Sequence, residues 1–468
     1  MNTIIDVQNA LESGKTTSKA LVETYLKRIA TYDESLNSLA DLNHEALVIA
    51  ETLDRERADK GPRSLLHGIP VVVKDNIFTH DRMRTTANSH ALRNFYAPYD
   101  ATLIQKLRDA GAIILAKANC SEFAYFMAMG KMPSGFGSMH GQVKHPYNTN
   151  IDPLGSSTGS AVAVAADLAV ASIGTETNGS LMSPAQQNSV VSIKPTLGLV
   201  SRHGIIPITY TQDTAGPMTK NVIDAAIMLD VLKGQDEFDS MTALIPQQET
   251  NYLESCTHSI KGKTIGILSF SNYQNGDEED AILNEAKDVL ESHGATTKKI
   301  DFEYNMVSNL LTMAPEFKRD LNAFLATLKP YCDMTSLKDI IDHNKAHTRR
   351  NLKYGQSIFE MAQGSDERLK DKTYLNAKAS LRDSINDFLS LYEDHNLDAI
   401  ITTKISGYPP IGGLPSITVP AKPFTDEKPK SLLFIGKPFT EETLFSLAHT
   451  YEINTHKRTK PDLTIHKT

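Results

Sequence analysis

Residues 155–160 read GSSTGS, hydroxyl side chains set between glycines, and the chain then turns at once into an alanine and valine run, AVAVAADLA. A second turn follows in IGTETNGSLMSPA, where Ser180 sits after a glycine, and upstream the apolar run of HGIPVVVKDN ends at Lys74. A serine hydroxyl becomes a nucleophile only when a base takes its proton. The chain has no GxSxG elbow and no HExxH pair, so no histidine or aspartate motif stands ready as that base, and a neutral lysine is the remaining candidate. Quieter readings stay open at this level. The serines and threonine also suit a helix N-cap with glycines for the turn. A phosphate cradle is a third possibility, although no GK[ST] completes a P-loop and no GxGxxG is present. A lysine at a strand end is often simply solvated.

The elements that must position these residues alternate. TTSKALVETYLKRIATY places Leu21, Val22, Tyr25, Leu26 and Ile29 on one helix face behind hydroxyl caps at Thr17 and Ser18. The run from Ile69 to Val73 reads as a buried strand. ATLIQKLRDAGAIILAKAN reads as helix, glycine stop at Gly111, strand. KTIGILSF, DEEDAILNEAKDVLESHG and ATTKKIDF repeat the alternation, about 305–395 is polar and helix-prone, and LDAIITTKISG and LPSITVPA return to strands. This pattern predicts an α/β fold with a large twisted, mixed but mostly parallel sheet flanked by helices, whose C-terminal strand edge collects ligands. The expected organisation is one domain over 1–468, with a helical insertion at about 305–395.

Composition narrows the partners. The 468 residues are 40% hydrophobic and 22% charged, with a formal charge of −8 and no long basic run, which argues against nucleic acid or an anionic membrane surface as partner. Cys120, Cys256 and Cys332 are widely spaced, with no CxxC pair and no zinc-type cluster, so neither a disulfide framework nor a metal centre is expected. The first residues carry acids and no base before Lys15, unlike a targeting signal, and the longest apolar stretch, from Ala161 to Ile173, is broken by Asp167. A cytoplasmic location is the expectation.

Taken in order, HGIPVVVKDN, LGSSTGSAVAVAA, GTETNGSLMSPA, IKPTLGLVSRHGIIPI and QDTAGPM resemble the amidase signature family. The likeness is strong over about 65–220. The variants GSSTGS, GTETNGS, QDTAGPM and ANCSEF resemble its peptide-amidase-like branch. The resemblance implies the amidase signature fold and a Ser-cisSer-Lys triad of Ser180, Ser156 and Lys74, with a cis peptide before Ser156 and no cofactor. It further implies an oxyanion hole from the N–H groups of Thr177, Asn178, Gly179 and Ser180 beside the substrate, with Ser157 assisting by hydrogen bonds. The implied reaction is release of ammonia from carboxamides through an acyl-enzyme, with uncharged amides such as C-terminally amidated peptides as substrates. The catalytic subunit of a tRNA-dependent amidotransferase and a non-catalytic binding homologue are the alternatives. Leu154, Thr158, Glu176, Asn178 and Met182 depart from the common family patterns, and the missing arginine at Met182 weakens any claim to an acidic substrate.

Other residues carry lesser readings. Cys120 with Lys117 and Glu122 could imitate a nitrilase-like set, but a lone cysteine is more often a small buried hydrophobe. His140 and His145 lack partners at ligand spacing. Met127, Met129, Met132 and Met139 read as adaptable packing, and Tyr408 with its prolines as a shaped loop.

Overall fold

The computed structural model describes residues 3–273, 275–425 and 428–466. Strands β1 (Leu39–Leu42), β2 (Pro70–Lys74), β3 (Ile113–Ala118), a short ladder of β4 (Phe136–Gly137) and β5 (Gly141–Gln142), then β6 (Ala171–Glu176), β7 (Val191–Lys194) and β8 (Thr214–Thr219) carry the first half. β9 (Thr264–Phe270), β10 (Thr296–Phe302), β11 (Ala399–Thr402), β12 (Ser416–Lys422) and β13 (Lys430–Gly436) complete it. Apart from the short ladder they form one eleven-stranded sheet in the order β1-β3-β2-β6-β8-β7-β12-β13-β11-β9-β10. Strands from both halves of the sequence therefore share one sheet.

The α/β alternation is as expected, but a parallel majority is not. Of the ten strand pairings in this sheet, four are parallel and six antiparallel. The units read from the sequence do pair in parallel: β2 with β3, β2 with β6, and β9 with β10 across the helix Asp277–Ser292. The antiparallel contacts come largely from β8 and β12, each of which inserts between neighbours. β6 and β7 share a direction because each runs antiparallel to the β8 strand between them. Apolar patterning shows that a strand is buried, not which strand enters beside it.

Local chemistry accounts for the elements. The helix Ser18–Leu36 starts at Thr17, whose hydroxyl accepts from the Ala20 N–H at 3.1 Å, and buries Leu21, Val22, Tyr25 and Ile29. The helix Thr158–Ala165 has every residue buried, and its glycine, alanine and valine side chains let its backbone approach the sheet. A Cβ on Gly159 would lie 2.2 Å from the Ser38 carbonyl oxygen. The segment expected to be helical folds as Leu310–Thr327, Leu337–Ala346, Thr348–Asn351, Ser357–Gly364 and Lys372–Asp394. Among the described residues no helix is long and apolar enough to cross a membrane.

Candidate active site

Because β2 and β6 are parallel, Lys74 and Glu176 leave the sheet at the same edge, and the Glu176–Thr214 pairing brings the turn before β8 there too. Lys74 is fully buried. Its Nζ lies 2.8 Å from Ser156 Oγ, 3.0 Å from Ser157 Oγ, and 2.8 and 3.2 Å from the hydroxyl and carbonyl oxygens of Thr175. The Ser157 hydroxyl donates to the Thr175 carbonyl at 2.9 Å and accepts from the Thr175 N–H at 3.1 Å. Its one proton is thus committed, and towards Lys74 it can only accept. Ser156 has no such commitment, so a neutral Lys74 can donate to Ser157 and Thr175 while turning its lone pair to the Ser156 hydroxyl. Among the described residues no carboxylate pairs with Lys74, and burial pulls its ammonium down to about 8.

The peptide bond Gly155–Ser156 is cis. Ser156 is fully buried and Ser180 is 8% exposed. The Ser157 N–H donates to the Ser180 carbonyl at 3.3 Å, which ties the two turns together. Gly174 makes this approach possible, since a Cβ there would sit 2.8 Å from the Ser157 side chain. Gly179 has φ +83°, a left-handed conformation suited to glycine. Beyond Ser180, the Leu181 and Met182 N–H groups donate to Glu176 Oε2 at 2.7 and 3.1 Å. The N–H groups of Thr177, Asn178, Gly179 and Ser180 donate to no protein acceptor among the described residues, which leaves four donors beside the serine. No hydrogen bond joins Ser180 Oγ to Ser156 in this structure; such contacts commonly tighten only when substrate is bound.

Several residues that hold this site went unassigned in the sequence. Thr175 grips Lys74 and is itself held by Asn76 Nδ2 at 3.1 Å. Asp213 accepts from the Thr177 hydroxyl and from the N–H groups of Ile208 and Thr209 at 2.8 and 3.0 Å. Gln212 Nε2 donates to the Thr177 carbonyl at 3.0 Å. Burial pushes the Asp213 carboxyl up to about 7. The only signal for the last two was their place in QDTAGPM. Ser157, expected to assist by hydrogen bonds, turns its hydroxyl to Lys74 and the β6 backbone, and Asn178 is exposed.

The lesser candidates resolve into other roles. Cys120 is fully buried and its thiol is pushed up to about 12, which suppresses the thiolate. Lys117 donates to the Ile77 carbonyl and to Thr85, and Glu122 accepts from Ser138, so the three do not form a unit. His140 lies 3.2 Å from the Thr86 hydroxyl and His145 2.9 Å from the Gln187 carbonyl. Among the described residues no group of three or more His, Cys, Asp or Glu is placed to hold a metal ion. Met127 and Met132 are buried and Met129 is half exposed. Tyr408 is fully buried and stacks on Phe388 at 4.7 Å, a packing role.

Comparison with known proteins agrees with this geometry. The Amidase family model matches residues 20–411. A probable amidase of Arabidopsis thaliana is 37% identical, with 98% of this chain and 91% of that protein covered. The X-ray structure of native peptide amidase from Stenotrophomonas maltophilia superposes with a TM-score of 0.91 at 35% identity over 98% of each chain. A glutamyl-tRNA(Gln) amidotransferase subunit from Bacillus pumilus is 31% identical over 98% of this chain and 99% of its own. With the family model spanning most of its length and such relatives nearly all of it, the chain belongs to the amidase signature family and is an amidase of that family.

Proposed function

We propose that this amidase works alone and releases ammonia from uncharged carboxamides, C-terminally amidated peptides among them, with Ser180 as nucleophile, Ser156 as relay and Lys74 as base. The observation that carries the reading is the fully buried Lys74, with no carboxylate partner among the described residues and with the Ser156, Ser157 and Thr175 hydroxyls around its Nζ. Ser180 Oγ attacks the amide carbon, its proton passes to Ser156, and the Ser156 proton passes to Lys74. The oxyanion meets the unpaired N–H groups of residues 177–180; losing one such donor typically costs ~10²-fold in rate. The C–N bond then breaks as the nitrogen takes the proton back through Ser156, and ammonia departs from the acyl-enzyme. Water attacks the ester by the same relay, giving the carboxylic acid and free Ser180.

Support for an uncharged substrate comes from what surrounds the turn. Met182, where the family pattern has arginine, is buried in an apolar cluster that also holds Tyr147, Leu181 and Ala185. Among the described residues no Lys or Arg side chain is hydrogen-bonded to residues 177–180. The peptide part rests on the likeness to the Stenotrophomonas peptide amidase. The test is kcat/KM for an amidated dipeptide against malonamate, together with fluorophosphonate labelling of Ser180. Preference for the amidated dipeptide and stoichiometric labelling are expected. Preference for malonamate would refute the substrate reading, and hydrolysis of neither substrate without labelling would favour a binding homologue.

A further inference from the structure

One cavity has a lining that includes none of the proposed catalytic residues. It has a volume of about 750 Å³, within the usual range for small-molecule sites, and forms where the helix Leu310–Thr327 meets the core. Tyr99, His203, Tyr210, Phe238 and Phe324 bring five rings to its lining, with Met241 beside them. None of Lys74, Ser156, Thr177, Asn178, Gly179 and Ser180 lines it. Three of the rings form a ladder: Tyr99 on His203 at 4.9 Å and 6°, and His203 on Phe238 at 4.7 Å and 24°. Phe238 is 68% exposed, so the outer end of the ladder is open to an incoming ring.

The two charged groups of the cavity, Arg202 and Asp239, satisfy each other. The Arg202 guanidinium is held by Asp239 and by the Tyr210 carbonyl, so the site makes no demand for an anion. His203 supplies the polar handle. The Thr102 hydroxyl donates to Asp236 at 2.6 Å, so towards His203 Nδ1, 3.3 Å away, it can only accept. Nδ1 therefore carries the proton and Nε2 the lone pair, and among the described residues Nε2 has no hydrogen-bond partner. Burial lowers the His203 pKa, which keeps that lone pair available at neutral pH.

We propose that this cavity is a second ligand site, distinct from the catalytic one, for a neutral planar aromatic ring bearing an N–H donor, with the ring against the aromatic walls and the N–H on His203 Nε2. Indole is a suitable probe because the chain contains no tryptophan, so indole fluorescence anisotropy can be read without protein background at its red excitation edge. Indole should bind saturably. Phe238→Ala should weaken both indole and N-methylindole about tenfold through lost ring contact. His203→Phe keeps a ring in the ladder and removes the acceptor, so it should weaken indole about fivefold and leave N-methylindole unchanged. Cyclohexanol should not compete. Circular dichroism on both variants separates loss of binding from loss of fold. Non-saturable anisotropy, equal affinity in all three proteins, or competition by cyclohexanol would overturn the proposal; equal weakening of both indoles by His203→Phe would overturn the donor assignment.

Discussion

A lysine ammonium surrounded by two serine and two threonine oxygens has spent its three N–H bonds and has no lone pair with which to accept a proton. Lys74 can act only after losing one, and burial has brought that loss down to about pH 8. Amide hydrolysis should therefore climb as pH rises through about 8 and then level off, checked by kcat/KM profiles on a neutral amide whose own charge does not change. A rate already maximal under mildly acidic conditions would show that Lys74 is not the base. Because base, relay and nucleophile act as one unit, Ser180→Ala and Lys74→Ala should each lower kcat by orders of magnitude, and the double variant little further. Multiplicative losses would refute the relay, with circular dichroism guarding against misfolding. Lys74, Ser156 and Ser180 were legible as candidates through the family resemblance, because motif residues and their order survive without coordinates. Thr175, Asp213 and the one-way bond of Ser157 were not, since each acts through a contact that only the pairing of β2, β6 and β8 creates.

At the level of elements, the periodicities marked the helix Ser18–Leu36, the β9–helix–β10 unit and the helical run after residue 305. They could not show β8 entering between β6 and β7, or β12 beside β7, because sideways insertion leaves no trace in a strand's apolar pattern. Nor could they show how the helical segment grips the site. Glu316, fully buried on the helix Leu310–Thr327, accepts from Thr209 and Thr211 at 2.6 Å each, from the Tyr374 hydroxyl at 2.8 Å and from Lys378 at 2.9 Å. The segment it holds runs on to Gln212 and Asp213, which clamp Thr177. Tyr374→Phe should cost about 1 kcal/mol of stability, whereas Glu316→Ala, which strands several donors, should cost ~2 kcal/mol or more. If the grip reaches Thr177, Glu316→Ala should also lower kcat for a neutral amide under conditions where the variant is fully folded. Urea midpoints and kcat measured on the same preparations test both parts; an unchanged kcat would confine Glu316 to stability.

Across the whole molecule, burial disfavours the charged forms of groups of both signs. Lys74, Lys117 and Lys194 are drawn down to about 8, while Glu122, Asp213 and Asp224 are pushed up to about 7, desolvation being the largest cause in every case. The two sets act on stability in different pH windows. Between about pH 4, where an unfolded carboxyl ionises, and 7, the folded chain holds more protons at these carboxyls, so their contribution falls as pH rises. Between 8 and about 10.4, where an unfolded lysine ionises, the unfolded chain holds more protons at the lysines, so their contribution rises with pH. The penalty of burying six charges is therefore fully present between 7 and 8 and is relieved on the alkaline side as the lysines become neutral. Lys117 isolates this effect because it lies outside the proposed relay, with Nζ on the Ile77 carbonyl and the Thr85 hydroxyl. In Lys117→Met the alkaline rise should lose about one third of its slope, since one of three comparable titrations is gone. Urea unfolding midpoints at several pH values in that window, for both proteins, measure the difference. An unchanged slope would mean that Lys117 keeps its proton inside the fold, and that its carbonyl and hydroxyl partners outweigh the desolvation of its charge.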